Sequence, residues 1–305
     1  MTGPLVVRVP AKINLHLEVV GRRPDGFHEL RTLFQSVDLY DTLRGWSADE
    51  GRLDLEIEPG NLVSDGEDNL VVRAAQALWR EIGRRPGARL KLEKRIPVGG
   101  GMGGGSADAA GALILLDRLW SLRLPSSDLR RLAADLGSDV PFFLHGGLAL
   151  GVGRGEEVIP LGDLPSYGVL LVVPPVEVST PEVFKRLVPG TWKRMADRVY
   201  AGVVKSPPVI DWSAAGNDLE RVVCDGWPQV AEALESVRRL GPLFSTVSGS
   251  GATVFGVFES IDSAARAAVG LEGWGRVEVV AMKGRIRARP EAVLEVENRG
   301  ECGSY

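Results

Sequence analysis

Apolar and polar residues alternate near the start of the chain, over residues 5–20. A period of two is typical of a strand that buries one face. The apolar face carries Ile13, Leu15, Leu17 and Val19, and the polar face carries Lys12, Asn14, His16 and Glu18. The pattern therefore predicts a half-buried strand with a polar face.

Helical and extended patterns mix along the rest of the chain. Helices are predicted over residues 69–82, 106–120, 127–136, 194–204, 217–224, 228–240 and 263–271, and another begins at Thr180 and Pro181. Strands are predicted over residues 53–57, 90–92, 148–152, 157–161, 168–173, 244–247, 253–258 and 276–282. The chain is therefore expected to combine helices and strands.

A length of 305 residues favours two domains, at about 150 residues each. After Gly146 the helical pattern gives way to two extended runs. We therefore expect an N-terminal domain over residues 1–155 and a C-terminal domain over residues 156–285. The remaining residues, 286–305, are expected to form a mobile tail.

The composition excludes several classes of protein. Lys and Arg total 36 against 40 Asp and Glu, so the basic excess of a nucleic-acid-binding protein is missing. No apolar run approaches the ~18 residues that span a bilayer, and the first residues lack a signal-peptide pattern. A cytoplasmic protein without nucleic-acid or membrane partners is expected. Its two cysteines, Cys224 and Cys302, give neither a disulfide framework nor a thiolate metal cluster.

A run of glycines is the strongest chemical signal. Six of the seven residues 99–105 are glycine, directly before the helix predicted over residues 106–120. Such a main chain can adopt positive φ and present successive N–H groups to one ligand. Since a helix N-terminus also favours anions, the run is typical of a phosphate-binding loop. A flexible linker would join domains instead of opening a helix inside one.

Three known glycine motifs compete for this run. A Walker loop needs a Lys before its Ser or Thr, but Ser106 follows Gly105 directly. The dinucleotide pattern G-x-G-x-x-G fits formally, although the acid expected about 20 residues on, Asp117, falls inside a predicted helix. The third motif is the glycine loop of protein kinases, but the further motifs that accompany it in those proteins are missing here. Because the run formally matches the dinucleotide pattern, a nicotinamide-dependent oxidoreductase is an alternative function.

Seven stretches together resemble the GHMP superfamily of small-molecule kinases. Three of them correspond to its general motifs: residues 10–15 (PAKINL), 97–110 (PVGGGMGGGSADAA) and 248–252 (SGSGA). Four more narrow the resemblance to the branch that acts on a cytidine diphosphate-linked methylerythritol: residues 25–30, 136–143, 151–157 and 180–185. The order and spacing of these stretches, from residue 5 to about residue 283, make the resemblance specific.

The resemblance implies an α+β fold of two lobes, with ATP and a small-molecule substrate in the cleft between them. The reaction it implies is ATP-dependent phosphorylation of the substrate's 2-hydroxyl, in non-mevalonate isoprenoid biosynthesis. Lys12 and Asp139 correspond to the family's catalytic pair, in which the carboxylate accepts the hydroxyl proton and the ammonium offsets charge. Taken singly, Lys12 would be an ordinary strand lysine and Asp139 a helix-capping acid.

The resemblance also implies the binding residues. ATP would contact Pro97, Val98, Gly99, Gly100, Gly101, Met102, Gly103, Gly104, Gly105, Ser106 and Ala107. The substrate would contact Asn14, Phe27, His28, Thr180, Phe184, Gly249, Ser250 and Gly251. Mg²⁺ is expected with ATP, held by Ser106 or Asp108.

Each of these assignments has a plainer alternative. Phe27 and Phe184 would stack on cytosine, where the family more often has Tyr at the position of Phe27, but buried aromatic residues also form ordinary core. The Asn14 side chain could form a hydrogen bond to the backbone at a strand edge, and residues 248–252 could be a tight turn between strands. Another branch of the superfamily, or a nucleotide-binding regulator without catalysis, are the remaining alternatives.

Overall fold

The computed structural model describes residues 3–60, 62–187, 196–271 and 273–284 and the backbone of Glu295–Val296. The strands are β1 (Leu5–Arg22), β2 (His28–Ala48), β3 (Leu53–Glu58), β4 (Gly87–Glu93), β5 (Leu148–Gly153), β6 (Glu157–Pro160), β7 (Gly168–Val173), β8 (Phe244–Val247), β9 (Val254–Phe258), β10 (Arg276–Ala281) and β11 (Glu295–Val296). The helices are α1 (Leu70–Ile82), α2 (Gly104–Leu119), α3 (Ser126–Leu136), α4 (Val140–Phe143), α5 (Thr180–Arg186), α6 (Ala196–Val203), α7 (Glu220–Gly226), α8 (Pro228–Arg238) and α9 (Ile261–Ala268). The expected α+β composition is confirmed.

The larger sheet has the order β11-β1-β2-β4-β3, with β5 pairing β2 and β6 pairing β5. Helix α2 packs against β1 and β2, and α1, α3 and α4 pack around α2. The α2 segment is apolar almost all round, and its residues from Ala107 to Leu116 are buried, as expected for a helix enclosed by neighbours. This lobe forms the first hydrophobic core.

The smaller sheet has the order β10-β7-β9-β8 and is antiparallel throughout. Helices α8 and α9 pack on it. Its strand β7 is buried on both faces, with Val169 and Leu171 in the first core and Leu170 and Val172 in the second. Strand β7 therefore contributes to the cores of both lobes.

The local signals at α1 act as the sequence predicts. The Asn69 side chain accepts the N–H of Val71 at 2.8 Å, and Gly83 ends the helix in the left-handed region, at φ 67°. An amide oxygen at the cap replaces a missing helical acceptor, and glycine adopts positive φ without steric cost. Part of the helix predicted over residues 194–204 lies outside the described residues, and α6 accounts for the remainder.

Strand β1 differs from the expected half-buried strand, because its polar side chains Lys12, Asn14 and His16 are also buried. The register against β2 shifts between Asn14 and His16, so Leu15 is an extra residue on β1. Such a bulge breaks the alternation of faces. As a result Leu17 joins the second core and lines the same cavity as Lys12.

Strand β2 has no counterpart among the sequence predictions, although it pairs with β1, β4 and β5 at the centre of the larger sheet. Residues 32–37 are buried at every position. A strand enclosed on both faces shows no apolar–polar alternation, which is the signal that revealed β1.

The expected boundary between residues 155 and 156 falls inside the β5–β6 hairpin, which belongs to the larger sheet. The chain enters the smaller sheet at Gly168, so we propose a boundary between Pro160 and Gly168. The tail expected over residues 286–305 lies outside the described residues except for Glu295–Val296, which pairs with the start of β1. No helix in the described part of the chain is both long and apolar enough to cross a membrane.

Candidate active site

A cavity of about 1230 Å³ lies between the two lobes. The larger lobe contributes β1, the glycine run and residues 138–139, and the smaller lobe contributes α5, Gly249 and Ser250. Most of the residues singled out by the sequence line this one cavity. Met102, Ala107 and Gly251 do not line it.

Lys12 is buried, and its Nζ lies 3.3 Å from Oδ2 of Asp139. The ammonium also donates a hydrogen bond of 2.7 Å to Oδ1 of Asn14. Asn14 donates in turn to Oγ1 of Thr32 at 2.7 Å, and Thr32 donates to the carbonyl of His16 at 2.8 Å. This chain of bonds fixes the direction of the lysine, which is not an ordinary solvated strand residue.

Asp139 stands at the N-cap position of α4, but its side chain makes no capping hydrogen bond. The carboxylate is about one-third exposed, at 32%, and faces the cavity. A Cβ placed on Gly155 would lie 3.9 Å from Oδ1 of Asp139. The capping alternative for Asp139 is therefore wrong in this structure.

The glycine run forms a loop directly over Lys12. Gly99, Gly101 and Gly103 have φ near +70°, at 70°, 72° and 70°. A Cβ on Gly101 would lie 2.1 Å from the carbonyl oxygen of Ser248, and one on Gly103 would lie 3.2 Å from Cε of Lys12. Both positions therefore require glycine for conformation and for space.

The loop leads straight into α2, whose N-cap is Gly103 and which has no side-chain cap. The first N–H groups of a helix have no partner within the helix, so this end can bind an anion. Gly104, Gly105 and Ser106 bring it into the cavity wall. Ser106 is in the first turn of the helix and lines the cavity, and it is not the N-cap residue.

Two residues of the expected ATP loop serve the loop's placement. The side chains of Met102 and Ala107 are fully buried in the first core. The Met102 carbonyl accepts the backbone N–H of Lys12 at 3.1 Å. Apolar packing therefore holds both side chains in the core, away from the cavity.

The third motif, residues 248–252, packs directly on the glycine loop. Ser248 Oγ donates to the Gly101 carbonyl at 3.0 Å, and the N–H of Thr253 donates to the Gly100 carbonyl at 3.2 Å. Ser250 and Thr180 share a hydroxyl–hydroxyl hydrogen bond of 2.7 Å. The turn therefore connects α5 to the loop, whereas Gly251 packs toward Val223 and Val247 behind it.

Aromatic residues line the other end of the cavity. Phe27 is 54% exposed, with the Arg154 guanidinium 4.9 Å from its ring centroid. His28 stacks on Phe184, with ring centroids 5.0 Å apart. Burial and the charge of Arg22 lower the pKa of His28, so its neutral ring can both donate and accept. Phe27 is not a core residue, while Phe184 lines the cavity and also packs on the second core.

Beneath the loop, Asp108 belongs to a buried charge cluster with Asp41 and Lys94, of which the sequence analysis named only Asp108. Lys94 Nζ donates to Oδ2 of Asp41 at 2.5 Å and to Oδ2 of Asp108 at 2.7 Å. Asp41 Oδ1 also accepts the backbone N–H groups of Arg95 and Ile96. Burial, opposed by Lys94, raises the pKa of Asp108 to about 8, and the two carboxylates outweigh burial and raise the pKa of Lys94.

Two domain families match the chain: "GHMP kinases N terminal domain" at residues 69–147 and "GHMP kinases C terminal" at residues 226–276. A protein of Pelotomaculum thermopropionicum named 4-diphosphocytidyl-2-C-methyl-D-erythritol kinase is 43% identical, over 85% of this chain and 90% of its own. A Rhodococcus jostii protein of the same name is 38% identical, over 99% of this chain and 98% of its own.

Two solved structures of kinases match the fold of this chain. The crystal structure of a 4-(cytidine 5'-diphospho)-2C-methyl-D-erythritol kinase has a TM-score of 0.76 and 35% identity, covering 92% of this chain and 99% of that one. A homoserine kinase from Cytophaga hutchinsonii has a TM-score of 0.74 at 20% identity, covering 93% of this chain and 96% of that one, and therefore shares the fold.

Fold, site and domain matches together define a small-molecule kinase of the GHMP class, which uses ATP. The dinucleotide interpretation of the glycine run is therefore wrong. By its identity to relatives over nearly their whole length, the chain belongs to the 4-diphosphocytidyl-2-C-methyl-D-erythritol kinase family.

Proposed function

We propose that this protein transfers the γ-phosphate of ATP to the 2-hydroxyl of 4-diphosphocytidyl-2-C-methyl-D-erythritol, giving the 2-phosphate and ADP, in non-mevalonate isoprenoid biosynthesis. The observation that carries the proposal is the 3.3 Å separation of Lys12 Nζ and Asp139 Oδ2 in a cavity that the glycine loop also lines. The names of the relatives supply the substrate.

In this proposal Asp139 is the general base. The hydroxyl oxygen forms a bond to the γ-phosphorus, and the bond from that phosphorus to the bridging oxygen of ADP breaks. The hydroxyl proton moves to the Asp139 carboxylate. The Lys12 ammonium orients that carboxylate and offsets negative charge on the transferring group, and its hydrogen bond to Asn14 keeps it aimed there.

The glycine loop and the start of α2 would hold the phosphates through backbone N–H groups. Among the described residues, no group of three or more His, Cys, Asp or Glu side chains forms a metal site. The oxygen ligands expected here, Ser106 or Asp108, still fit Mg²⁺, because proteins usually bind this ion with one or two oxygen ligands beside substrate phosphates and water. When bound, the ion neutralises charge between the β- and γ-phosphates.

Ser106 would be the protein ligand of that ion, because its hydroxyl side chain lies in the cavity wall at the helix start. Asp108 fits less well. Its Oδ2 is bound to Lys94, and its Oδ1 is buried without a partner in the described part of the chain.

The aromatic end of the cavity would bind the cytidine. Phe27 offers an exposed ring face, and the neutral His28 and Phe184 stand beside it. Stacking on aromatic rings contributes ~1–3 kcal/mol per base. Phe27→Ala should therefore raise KM for the cytidine substrate by ~5- to 150-fold while KM for ATP stays unchanged. Phe27→Tyr, which keeps the ring, is the matched control.

The decisive experiment is a coupled assay of ADP release with the purified protein and this substrate. ADP formation that depends on the cytidine-linked methylerythritol supports the proposal. Turnover with mevalonate or homoserine instead would assign the protein to another branch of the class. If Phe27→Ala left KM for the substrate unchanged, the cytidine site would be misplaced even with the reaction correct.

A further inference from the structure

The turn of the third motif is held from behind by one buried side chain, Asn217. Its Nδ2 donates to the carbonyl of Val247 at 2.8 Å and to that of Gly249 at 2.7 Å. Its Oδ1 accepts the N–H of Leu219 at 2.9 Å, just before α7. Both amide hydrogens and the amide oxygen are therefore used, as a buried amide requires.

One of the two carbonyls that Asn217 holds belongs to Gly249, which lies beside the proposed catalytic lysine. A Cβ placed on Gly249 would lie 3.4 Å from Nζ of Lys12 and 3.3 Å from Oδ1 of Asn14. Gly249 also has a left-handed backbone, at φ 56°. The turn is thus a wall of the space in which the Lys12 ammonium sits, and its position bears directly on that ammonium.

Asn217 is in turn anchored on the strand that carries Lys12. The N–H of Leu17 donates to the Gly216 carbonyl and the N–H of Asp218 donates to the Leu17 carbonyl, both at 2.9 Å. These contacts form a loop that begins and ends on β1. It runs from Leu17 to the segment of Asn217, from Asn217 to Gly249, and from Gly249 back to Lys12.

We propose that Asn217 is a positioning residue for phosphoryl transfer, which sets the Gly249 turn against Lys12 and Asn14. The inference rests on the proposed function, because it concerns the same reaction. Only an amide suits the position. A carboxylate would face two carbonyl oxygens, and an apolar side chain would leave both without a donor.

The test compares Asn217→Asp and Asn217→Ser with the unchanged enzyme. Ser keeps an oxygen that can accept the Leu219 N–H but cannot donate to both carbonyls. We expect kcat, corrected for the folded fraction, to fall by ~10- to 100-fold, because a misplacement of 1 Å in a site can cost about 10²-fold. KM for ATP should change by less than about threefold, since the glycine loop and the start of α2 are untouched.

The matched control is Asp218→Ala, which removes the bond to Val19 in the same segment without touching the Gly249 turn. It should lower the urea midpoint but leave kcat per folded molecule near the unchanged value. Equal kcat losses in Asp218→Ala and the Asn217 variants, or unaltered kcat in the latter, would overturn the inference alone. An unchanged enzyme without turnover would refute the proposed function, and this inference with it.

Discussion

Lys12 and Asp139 meet at 3.3 Å with unequal exposure, since the lysine side chain is 4% exposed and the aspartate 32%. The asymmetry suits two different tasks. A buried ammonium with a fixed hydrogen-bond partner keeps its direction, while a carboxylate open to the cavity can receive a proton from a bound hydroxyl. Only the carboxylate has to take up a proton.

Asp139→Asn should therefore lower kcat by ~10²- to 10⁴-fold, because an amide cannot accept the proton. ATP affinity, measured by calorimetry, should stay within a few-fold of the unchanged protein, since the loop that binds phosphate is intact. Asp135→Asn, the same change on an exposed position of α3, is the control. Equal kcat in Asp139→Asn and the unchanged protein would show that another group is the base.

Gly101→Ala should weaken the glycine loop. The new Cβ would meet the Ser248 carbonyl, and the residue would have to hold φ 72°, which costs an L-residue ~1–2 kcal/mol. We expect ATP affinity to fall on the order of tenfold or more, together with a lower free energy of unfolding. Gly21→Ala, in open space without positive φ, should change neither. Normal ATP binding by Gly101→Ala would show that the loop can relax away from the third motif.

The sequence pointed to Lys12 and Asp139, the proposed reacting groups, because each lies in a short contiguous motif: Lys12 in residues 10–15, Asp139 in residues 136–143. The supporting groups could not be found this way. Asp41 and Lys94 meet only through tertiary folding, and Thr32 lies on β2, whose two buried faces give no alternation. Asn217 shows its role only once the Gly249 turn is in place beside it.

Because of the Asp41–Lys94–Asp108 cluster, we expect the loss of Lys94 to lower the free energy of unfolding much more than the loss of Lys91. Lys94→Met would leave buried Asp41 and Asp108 without their cation, and breaking such a buried pair costs about 3–5 kcal/mol. Lys91→Met removes a partly exposed lysine that pairs with Glu56 and Glu58, at a cost of about 0–1 kcal/mol. Urea unfolding measures both. Similar losses in the two variants would mean that the cluster contributes little beyond a surface ion pair.

His16 makes the protein sensitive to acid. Its side chain is buried on β1, its Nδ1 accepts the Gly216 N–H at 3.1 Å, and its ring stands edge-on to Tyr200. Burial lowers the pKa of His16 from 6.5 to about 4. Because the unfolded chain then binds the proton more readily, the stability is fully present above pH 6.5 and is lost as the pH falls toward 4.

The difference between the two pKa values corresponds to a maximal loss of about 3 kcal/mol. His16→Asn retains an acceptor for the Gly216 N–H but does not titrate. Between pH 6.5 and pH 4 its free energy of unfolding should therefore fall less steeply than that of the unchanged protein, with pH 8 as the common reference. Parallel curves over this range would show that His16 takes up its proton equally in the folded and unfolded chains.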